Sequence, residues 1–208
     1  GFSAKGLFVM DGSRRSAHAN AYFTGFGAAK RVVFYDTLLR QLAPGEVEAV
    51  LAHELGHFKH KHITKRMVLM FALSLAGFAL LGWLSQQAWF YSGLGVLPSV
   101  QLAMGLPQGD DNAVALLLFL LALPVFTFFV SPLMAMGSRR DEFQADAYAM
   151  AQADGAALAS ALLTLYEDNA STLTPDPVYA KFYYSHPPAL ERLARMPAAA
   201  APTAGAAA

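Results

Sequence analysis

The chain has 208 residues, of which 55% are hydrophobic and 14% are charged, with no cysteine and a formal net charge of zero. These values exclude whole-chain disorder and a strongly basic nucleic-acid-binding protein. Because cysteine is absent, any metal site must be built from His, Asp and Glu side chains. Globular proteins carry about 25% charged residues, so the low value raises the question of where the charges are missing.

The charges are distributed unevenly along the chain. Residues 1–66 carry ten Lys and Arg against five Asp and Glu, and residues 139–208 carry five against eight. The segment between them has two acidic residues, Asp110 and Asp111, and no Lys, Arg or His. We therefore expect four segments: an N-terminal part over 1–66, a membrane part over 67–138, a C-terminal part over 139–196 and a flexible Ala- and Pro-rich tail over 197–208.

The N-terminal part is expected to contain short strands followed by helices. β-branched and aromatic residues cluster in three runs, which predicts strands over 6–10, 19–24 and 31–35. Asp36 favours the beginning of a short helix that ends at position 41. Pro44, followed by acidic residues at positions 46 and 48, favours the beginning of a longer helix.

Two apolar runs of 24 residues, 67–90 and 113–136, lie in the membrane part. Each is long enough for a helix that crosses a ~30 Å hydrocarbon core, and neither has a polar stripe. The alternative is a buried helical hairpin, but a chain of this size offers too small a core to cover both runs. Lys and Arg flank the outer ends of both runs, including Arg139 and Arg140, and are absent from the connecting loop. Both flanking parts should therefore lie on the cytoplasmic side.

The helix that begins near Pro44 carries the sequence HELGH over residues 53–57. Two His residues four positions apart share one helix face and can bind a single zinc ion. Glu54 lies about 100° around the helix from His53, where it can take a proton from a metal-activated water without binding the metal. The pattern indicates zinc-dependent hydrolysis with Glu54 as the general base.

A zinc site of this kind needs a third protein ligand. His60 and His62 follow the motif, but metzincin spacing requires Gly at position 60 and His at position 63. We therefore interpret both His residues as part of a basic collar at the membrane face. A helix predicted over 138–146 offers Glu142 and Asp146 one turn apart, which suits a ligand and an acid that orients a His ring. Since two spans separate them, both motifs should lie on one side of the membrane.

Five stretches in order along the chain resemble the type I CAAX prenyl proteases, which are integral-membrane zinc metalloendopeptidases of the gluzincin kind. The stretches are SAHANAY over 16–22, KRVVFYDTLL over 30–39, HELGH with Lys59, SRRDEFQAD over 138–146 and YSHPPALER over 184–192. The resemblance implies a mainly α fold. It further implies an integral-membrane helical bundle with a zincin-like pair of catalytic helices, a small β-sheet edge and further membrane helices before position 1.

The resemblance also implies a role for each of seven residues around one Zn²⁺ per chain. The implied roles are zinc ligation by His53, His57 and Glu142, general base catalysis by Glu54, support by the acid Asp146, and contact with the substrate backbone or the developing oxyanion by Asn20 and His186.

Three functions compete at this point. The first is a membrane-embedded zinc metalloendopeptidase of the CAAX type, acting on peptide or protein substrates that include prenylated ones. The second is a heat-shock-type quality-control metalloprotease of the membrane. The third is a non-enzymatic metal-binding or transport protein, suggested by the cluster of His57, His60 and His62. Ion pathways usually need an ionisable residue within a span, and neither apolar run has one.

The expected location of the chain is a membrane, with the zinc site on the cytoplasmic side. The Ala-rich composition favours a bacterial inner membrane, and the endoplasmic reticulum is the corresponding location in a eukaryote.

Overall fold

The computed structural model describes residues 7–18, 20–24, 31–106, 111–168 and 172–197. These residues belong to two compact units. The first unit combines the two ends of the chain, Gly1–His62 and Met134–Ala208, and the second is Ile63–Leu133. The tail beyond position 197, expected to be flexible, lies outside the described residues.

The strands of the first unit form one small mixed sheet. β1 (Leu7–Met10), β2 (Ala21–Thr24) and β3 (Arg31–Tyr35) are arranged in the order β1-β3-β2. β1 runs parallel to β3 and β2 runs antiparallel to it, so β2 is an edge strand. The sequence predicted all three strands; Gly6 and Ala19, which it included, are outside the described residues.

Helices account for most of the described chain, so the predicted fold class, mainly α with a small sheet, is confirmed. In chain order they are α1 (Asp36–Gln41), α2 (Pro44–Lys59), α3 (His62–Leu84), α4 (Ala88–Gly93), α5 (Val100–Ala103), α6 (Asn112–Gln152), α7 (Gly155–Asp168), α8 (Pro177–Tyr183) and α9 (Ala189–Leu193).

A hydrophobic core joins the sheet to the helices of the first unit. Val32 and Phe34 of β3 pack with Leu38 of α1, Val50 of α2 and Ala161 of α7. These side chains are apolar and almost fully removed from solvent, so their burial stabilises the position of α2 relative to the sheet.

The contact between α2 and α6 is made by small residues. Ala49 and Ala52 of α2 pack with Ala149 of α6 in a second buried cluster. At Gly56 an added Cβ would lie 2.9 Å from Cα of Ala145. The two helix backbones therefore approach more closely than larger side chains would permit, and this distance decides which groups on the two helices can meet.

The second unit contains two helical stretches that are long and apolar enough to cross a membrane, in α3 and in α6. Their large side chains are exposed: Phe71, Leu75 and Phe78 of α3 each have at least 70% of their surface accessible. An apolar surface of this extent is unfavourable in water and favourable against lipid chains.

The first membrane helix differs from the predicted span over 67–90, because it begins at His62 and ends at Leu84. Three polar residues, Ser85, Gln86 and Gln87, follow its last turn. The backbone N–H of Ser85 donates to Leu81 O, and the Gln87 side chain donates to Trp83 O. These groups satisfy carbonyls of the last turn, and the aromatic residues that follow fold into the short helix α4.

The second membrane helix also differs from the prediction. The span expected over 113–136 and the helix expected over 138–146 are parts of one continuous helix, α6, of 41 residues. Gly137, at the expected break, lies within it. A single glycine costs a helix about 1 kcal/mol, which is too little to interrupt one supported on both sides. The apolar run and the acidic motif therefore lie on the same continuous helix.

Candidate metal centre

The three predicted ligands come together where α2 packs against α6. Nε2 of His53 lies 3.2 Å from Nε2 of His57, and these atoms lie 3.6 and 3.4 Å from Oε2 and Oε1 of Glu142. A tetrahedral ion with bonds of about 2.0–2.1 Å, as zinc forms to N and O ligands, has ligand–ligand distances of about 3.3–3.4 Å. The donor atoms therefore have the separations of a metal site, and their chemistry fits a divalent ion of the zinc type.

The local sequence explains why these groups meet. The helical repeat puts His53 and His57 on one face of α2, one turn apart. Gly56 lies between them in sequence and allows α2 to approach Ala145 of α6. Glu142 precedes Ala145 by nearly one turn, so its carboxylate reaches the two rings in a buried environment.

A buried ion pair, Asp146 with Arg192, lies on the Nδ1 side of the His53 ring. Nδ1 of His53 lies 2.9 Å from Oδ1 of Asp146, within the distance of an ion pair. Arg192 of α9 donates from Nε and Nη2 to the two oxygens of Asp146, at 2.8 and 2.6 Å. The structure thus places Asp146 between the His53 ring and the Arg192 guanidinium.

His62 does not belong to an exposed basic collar, and that prediction is wrong for this residue. Its side chain is only 3% exposed, and its Nδ1 lies 3.0 Å from Nδ1 of His57. Its Nε2 lies 3.0 Å from Oε1 of Gln144. The ring of His60 stacks on it at a centroid distance of 5.5 Å. The collar prediction failed because the backbone leaves the helical path at Lys61, which has a φ of 57°. His62 is thereby placed against His57.

His186 lies at the open side of the centre. Its side chain is 65% exposed, and its Nε2 lies 3.5 Å from Oε1 of Glu142. Two hydrogen bonds hold its segment: Arg139 Nη1 donates to Tyr184 O at 2.7 Å, and the hydroxyl of Tyr166 donates to Pro187 O at 3.2 Å. Arg139, interpreted from sequence as a topology signal, therefore also anchors the segment that carries His186.

Asn20 is exposed immediately before β2, and its backbone carbonyl accepts a hydrogen bond from Tyr35 N–H at 3.0 Å. No contact joins its side chain to the three ligands within the part of the chain that the structure describes. Of the seven residues given a role from the sequence, six lie at the centre or beside it on α2, α6 and the segment of His186, and Asn20 lies on the sheet.

The buried groups of the centre shift one another's pKa values. Burial lowers the pKa of His53, but the carboxylates of Asp146 and Glu142 raise it more, to about 9. Burial lowers the pKa of His57 to about 4, and the charge on His53 adds to this effect. Burial raises the pKa of Glu54 to about 6, against the charge on His53. In the metal-free protein at neutral pH, His53 is thus charged and His57 is neutral.

Sequence reasoning missed four residues that shape the centre. Arg192 neutralises Asp146, Gln144 contacts His62, Gly56 sets the helix spacing and Tyr166 anchors the segment of His186. Only Gly56 left a local signal, as a glycine in the middle of a helix, where it is otherwise unfavourable. The other three act through partners distant in sequence.

The fold and the centre define the class of the protein: a helix with the H-E-x-x-H motif and a second helix with a Glu ligand form the metal-binding core of a metallopeptidase. The model of peptidase family M48 matches residues 1–200, and the chain belongs to this family. Membership implies a metal cofactor, for which the three residues are the candidate ligands.

Several relatives are similar to nearly the whole chain. The CAAX prenyl protease 1 homolog of Arabidopsis thaliana is 37% identical over 200 residues, covering 92% of this chain and 43% of the relative. CAAX prenyl protease 1 of Saccharomyces cerevisiae is 34% identical over 201 residues, covering 93% and 44%. The crystal structure of S. mikatae Ste24p matches with a TM-score of 0.80 and 34% identity, covering 93% and 46%. The chain thus spans less than half the length of these relatives.

Proposed function

We propose that the chain forms the catalytic part of a membrane-embedded zinc metalloendopeptidase of the CAAX prenyl protease type. The observation that carries the proposal is the triangle of donor atoms from His53, His57 and Glu142, with sides of 3.2, 3.4 and 3.6 Å. Two imidazoles and one carboxylate form the donor set of catalytic zinc sites that keep a fourth position open. The similarity to CAAX prenyl proteases supports the same conclusion.

The chemistry divides between the ion and the chain. Zinc, when bound, supplies Lewis acidity that polarises the scissile carbonyl and acidifies water. Glu54 takes the proton of the attacking water on its carboxylate and delivers it to the leaving amine. Burial raises the pKa of Glu54 to about 6, which makes its carboxylate a stronger base for the first step and keeps the pKa close enough to neutral for the proton to be passed on.

Two further residues are proposed to bind the substrate. His186 is exposed and lies within 3.5 Å of the Glu142 carboxylate, so its ring N–H can donate to the oxygen that becomes negative as the peptide bond is attacked. Asn20 precedes the edge strand β2, whose free side can hold an extended peptide through backbone hydrogen bonds.

The substrate is proposed to be a peptide or protein close to the membrane, with prenylated CAAX sequences as the first class to examine. The exposed apolar faces of α3 and α6 support insertion into a bilayer. A cytoplasmic location of the zinc centre is supported by the basic residues that flank the two apolar runs, Lys65 and Arg66 before the first and Arg139 and Arg140 after the second.

The test compares cleavage of a prenylated CAAX peptide with that of the same peptide without the lipid, using the zinc-loaded full-length protein in proteoliposomes. Glu54→Gln should keep one zinc per chain and lower kcat by about 10²–10⁴-fold, the usual contribution of a general base. Glu48→Gln on the exposed side of α2 is the matched control and should leave kcat unchanged.

Two outcomes would overturn the proposal in different ways. Cleavage that survives Glu54→Gln and removal of zinc would show that another group performs hydrolysis. Stoichiometric zinc without cleavage of either peptide would favour the metal-binding or transport alternative. Equal cleavage of both peptides would retain the metalloendopeptidase and remove prenylation from the specificity.

A further inference from the structure

We propose that His62 and Gln144 hold the ring of His57 in the tautomer that presents the lone pair of Nε2 to the metal, and that both are positioning residues of the centre. The inference rests on the proposed zinc site and adds residues that lie outside the H-E-x-x-H motif and outside the predicted ligand set. The inference is based on two successive contacts on the side of His57 that faces away from the metal site, from His57 to His62 and from His62 to Gln144.

The contacts form a continuous line through one buried side chain, His62, and half-buried ones on either side of it. Nδ1 of His57, the nitrogen that faces away from Glu142, lies 3.0 Å from Nδ1 of His62. Nε2 of His62 lies 3.0 Å from Oε1 of Gln144 and 3.5 Å from Oδ1 of Asp141. The planes of the His57 and His62 rings are inclined at 77°, with the ring centroids 5.0 Å apart.

The donors and acceptors along this line can be assigned from chemistry. A neutral imidazole has one N–H and one lone pair. The carboxylate of Asp141 only accepts, and so does the amide oxygen of Gln144, so Nε2 of His62 carries the proton. Nδ1 of His62 then has the lone pair and needs a donor, which is the Nδ1–H of His57. The lone pair of His57 is left on Nε2, which faces Glu142.

The reverse assignment would abolish metal binding. If the Gln144 amide were turned so that its NH₂ group faced His62, the proton of His62 would lie on Nδ1. His57 would then accept at Nδ1 and carry its proton on Nε2, where it blocks the metal. Asp141 opposes this arrangement, because its carboxylate cannot donate to Nε2 of His62.

The two ligand rings thus depend on partners of different charge. Asp146, paired with Arg192, lies behind His53, whereas the ring of His62 and the uncharged amide of Gln144 lie behind His57. A carboxylate directly behind His57 would add a further negative charge to a pocket that already holds Glu142 and Glu54. The contacts through His62 and Gln144 orient the ring without a carboxylate against it.

Chain geometry at the end of α2 makes these contacts possible. On an uninterrupted helix, residues five apart point about 140° away from each other, so positions 57 and 62 would not meet. Lys61 adopts a φ of 57°, in the left-handed region that L residues seldom occupy. The backbone therefore leaves the helical path at Lys61, and the ring of His62 lies against that of His57.

The first test needs no variant. The six histidines of the metal-free full-length protein are labelled with ¹⁵N, and the ring nitrogens are observed by NMR in detergent micelles at neutral pH. We expect His57 to show a protonated Nδ1 and an unprotonated Nε2, and His62 to show the opposite. A His57 with its proton on Nε2, or with both tautomers equally populated, would overturn the proposal.

The second test measures zinc affinity by competition with a chelator. His62→Leu and Gln144→Met should each weaken binding about 10–100-fold, as removal of the outer partner of a ligand usually does. His62→Asn keeps an acceptor near the position of Nδ1 and should restore most of the affinity. His60→Gln is the control, because its ring stacks on His62 without joining the line, and it should change affinity less than about threefold.

The outcomes separate a positioning role from a structural one. If His62→Asn binds zinc no better than His62→Leu, the ring serves only packing and the proposal is wrong. If the affinities change as expected but no peptide is cleaved by the wild-type protein, the proposed function fails and this inference stands.

Discussion

The two units of the chain place charged and apolar side chains in opposite ways. The first unit buries ionisable groups at its centre, which are His53, His62, Glu142, Asp146 and Arg192. The second exposes large apolar side chains along α3, of which Leu75 is 72% accessible. Buried charges are tolerated when they are paired or bind a metal, and an exposed apolar surface is tolerated when lipid covers it. The contrast shows that the same exposure has a different meaning in the two units, because water surrounds the first and lipid is the expected surrounding of the second.

The largest effect is expected where the first unit loses a metal ligand. Glu142→Ala should abolish stoichiometric zinc, because two His rings remain and the carboxylate that faces both is gone. Zinc per chain is measured by elemental analysis after gel filtration. Glu48→Ala, exposed on α2, is the control and should retain one zinc. If Glu142→Ala still holds one zinc, Glu142 is not the third ligand.

The next largest effect concerns the buried pair behind His53. Arg192→Met removes the charge and keeps much of the side-chain volume, so Asp146 loses both hydrogen bonds from the guanidinium. Removing one partner of a buried pair costs about 3–5 kcal/mol. For a chain of this size, a loss of this order lowers Tm by at least about 6 °C.

Arg195→Met tests whether the loss depends on burial of the pair. Arg195 also lies near α6, but its guanidinium stacks 3.5 Å above the centre of the Phe143 ring. Its removal should cost about 1 kcal/mol or less. If both variants lose the same Tm in their metal-free forms, the buried pairing of Arg192 with Asp146 adds no more stability than the exposed contact of Arg195 with Phe143.

A third prediction tests the solvent of each surface directly. Leu75 of α3 and Val178 of α8 have the same accessibility, 72%. Leu75→Asp should oppose membrane insertion by about 3 kcal/mol if the residue lies at the centre of a span. Val178→Asp lies on the first unit and should change stability by about 0.5 kcal/mol or less. Resistance to alkaline extraction from membranes measures the first, and thermal unfolding measures the second. Similar, small effects at both positions would contradict a lipid-facing α3.

Sequence patterns predicted the parts of this molecule that depend on local spacing. His53 and His57 share a helix face because they are four positions apart. β3 and α1 have the bounds that their sequence predicts. The resemblance of the chain to CAAX prenyl proteases is confirmed by the family match and the relatives. These features need no knowledge of distant contacts.

The errors arose where distant contacts or single backbone angles decide the structure. The role of Arg192 depends on Asp146, 46 positions earlier in the chain. The burial of His62 depends on the left-handed conformation of Lys61, which residue type alone does not indicate. The predicted end of α3 was wrong because apolar residues stand on both sides of the three polar residues that follow Leu84. The apolar pattern therefore predicts a helix that continues to position 90. Local composition carries no information on such contacts.

The smallest effect compares one glycine in each unit. Gly56→Ala places a Cβ 2.9 Å from Cα and 3.0 Å from the carbonyl oxygen of Ala145, and neither backbone atom can move without shifting α6. Overpacking of this kind costs about 1–3 kcal/mol. Gly77→Ala in α3 meets no atom within 4 Å, so the helix propensity of alanine should stabilise it by up to about 1 kcal/mol.

The sign of the change in Tm separates the two positions. Thermal unfolding in one detergent should show a lower Tm for Gly56→Ala and an equal or higher Tm for Gly77→Ala. Zinc affinity should fall in the first variant only, because a shift of α2 against α6 moves His53 and His57 away from Glu142. If Gly56→Ala keeps both Tm and zinc affinity, close contact of the helix backbones is not what brings the three ligands together.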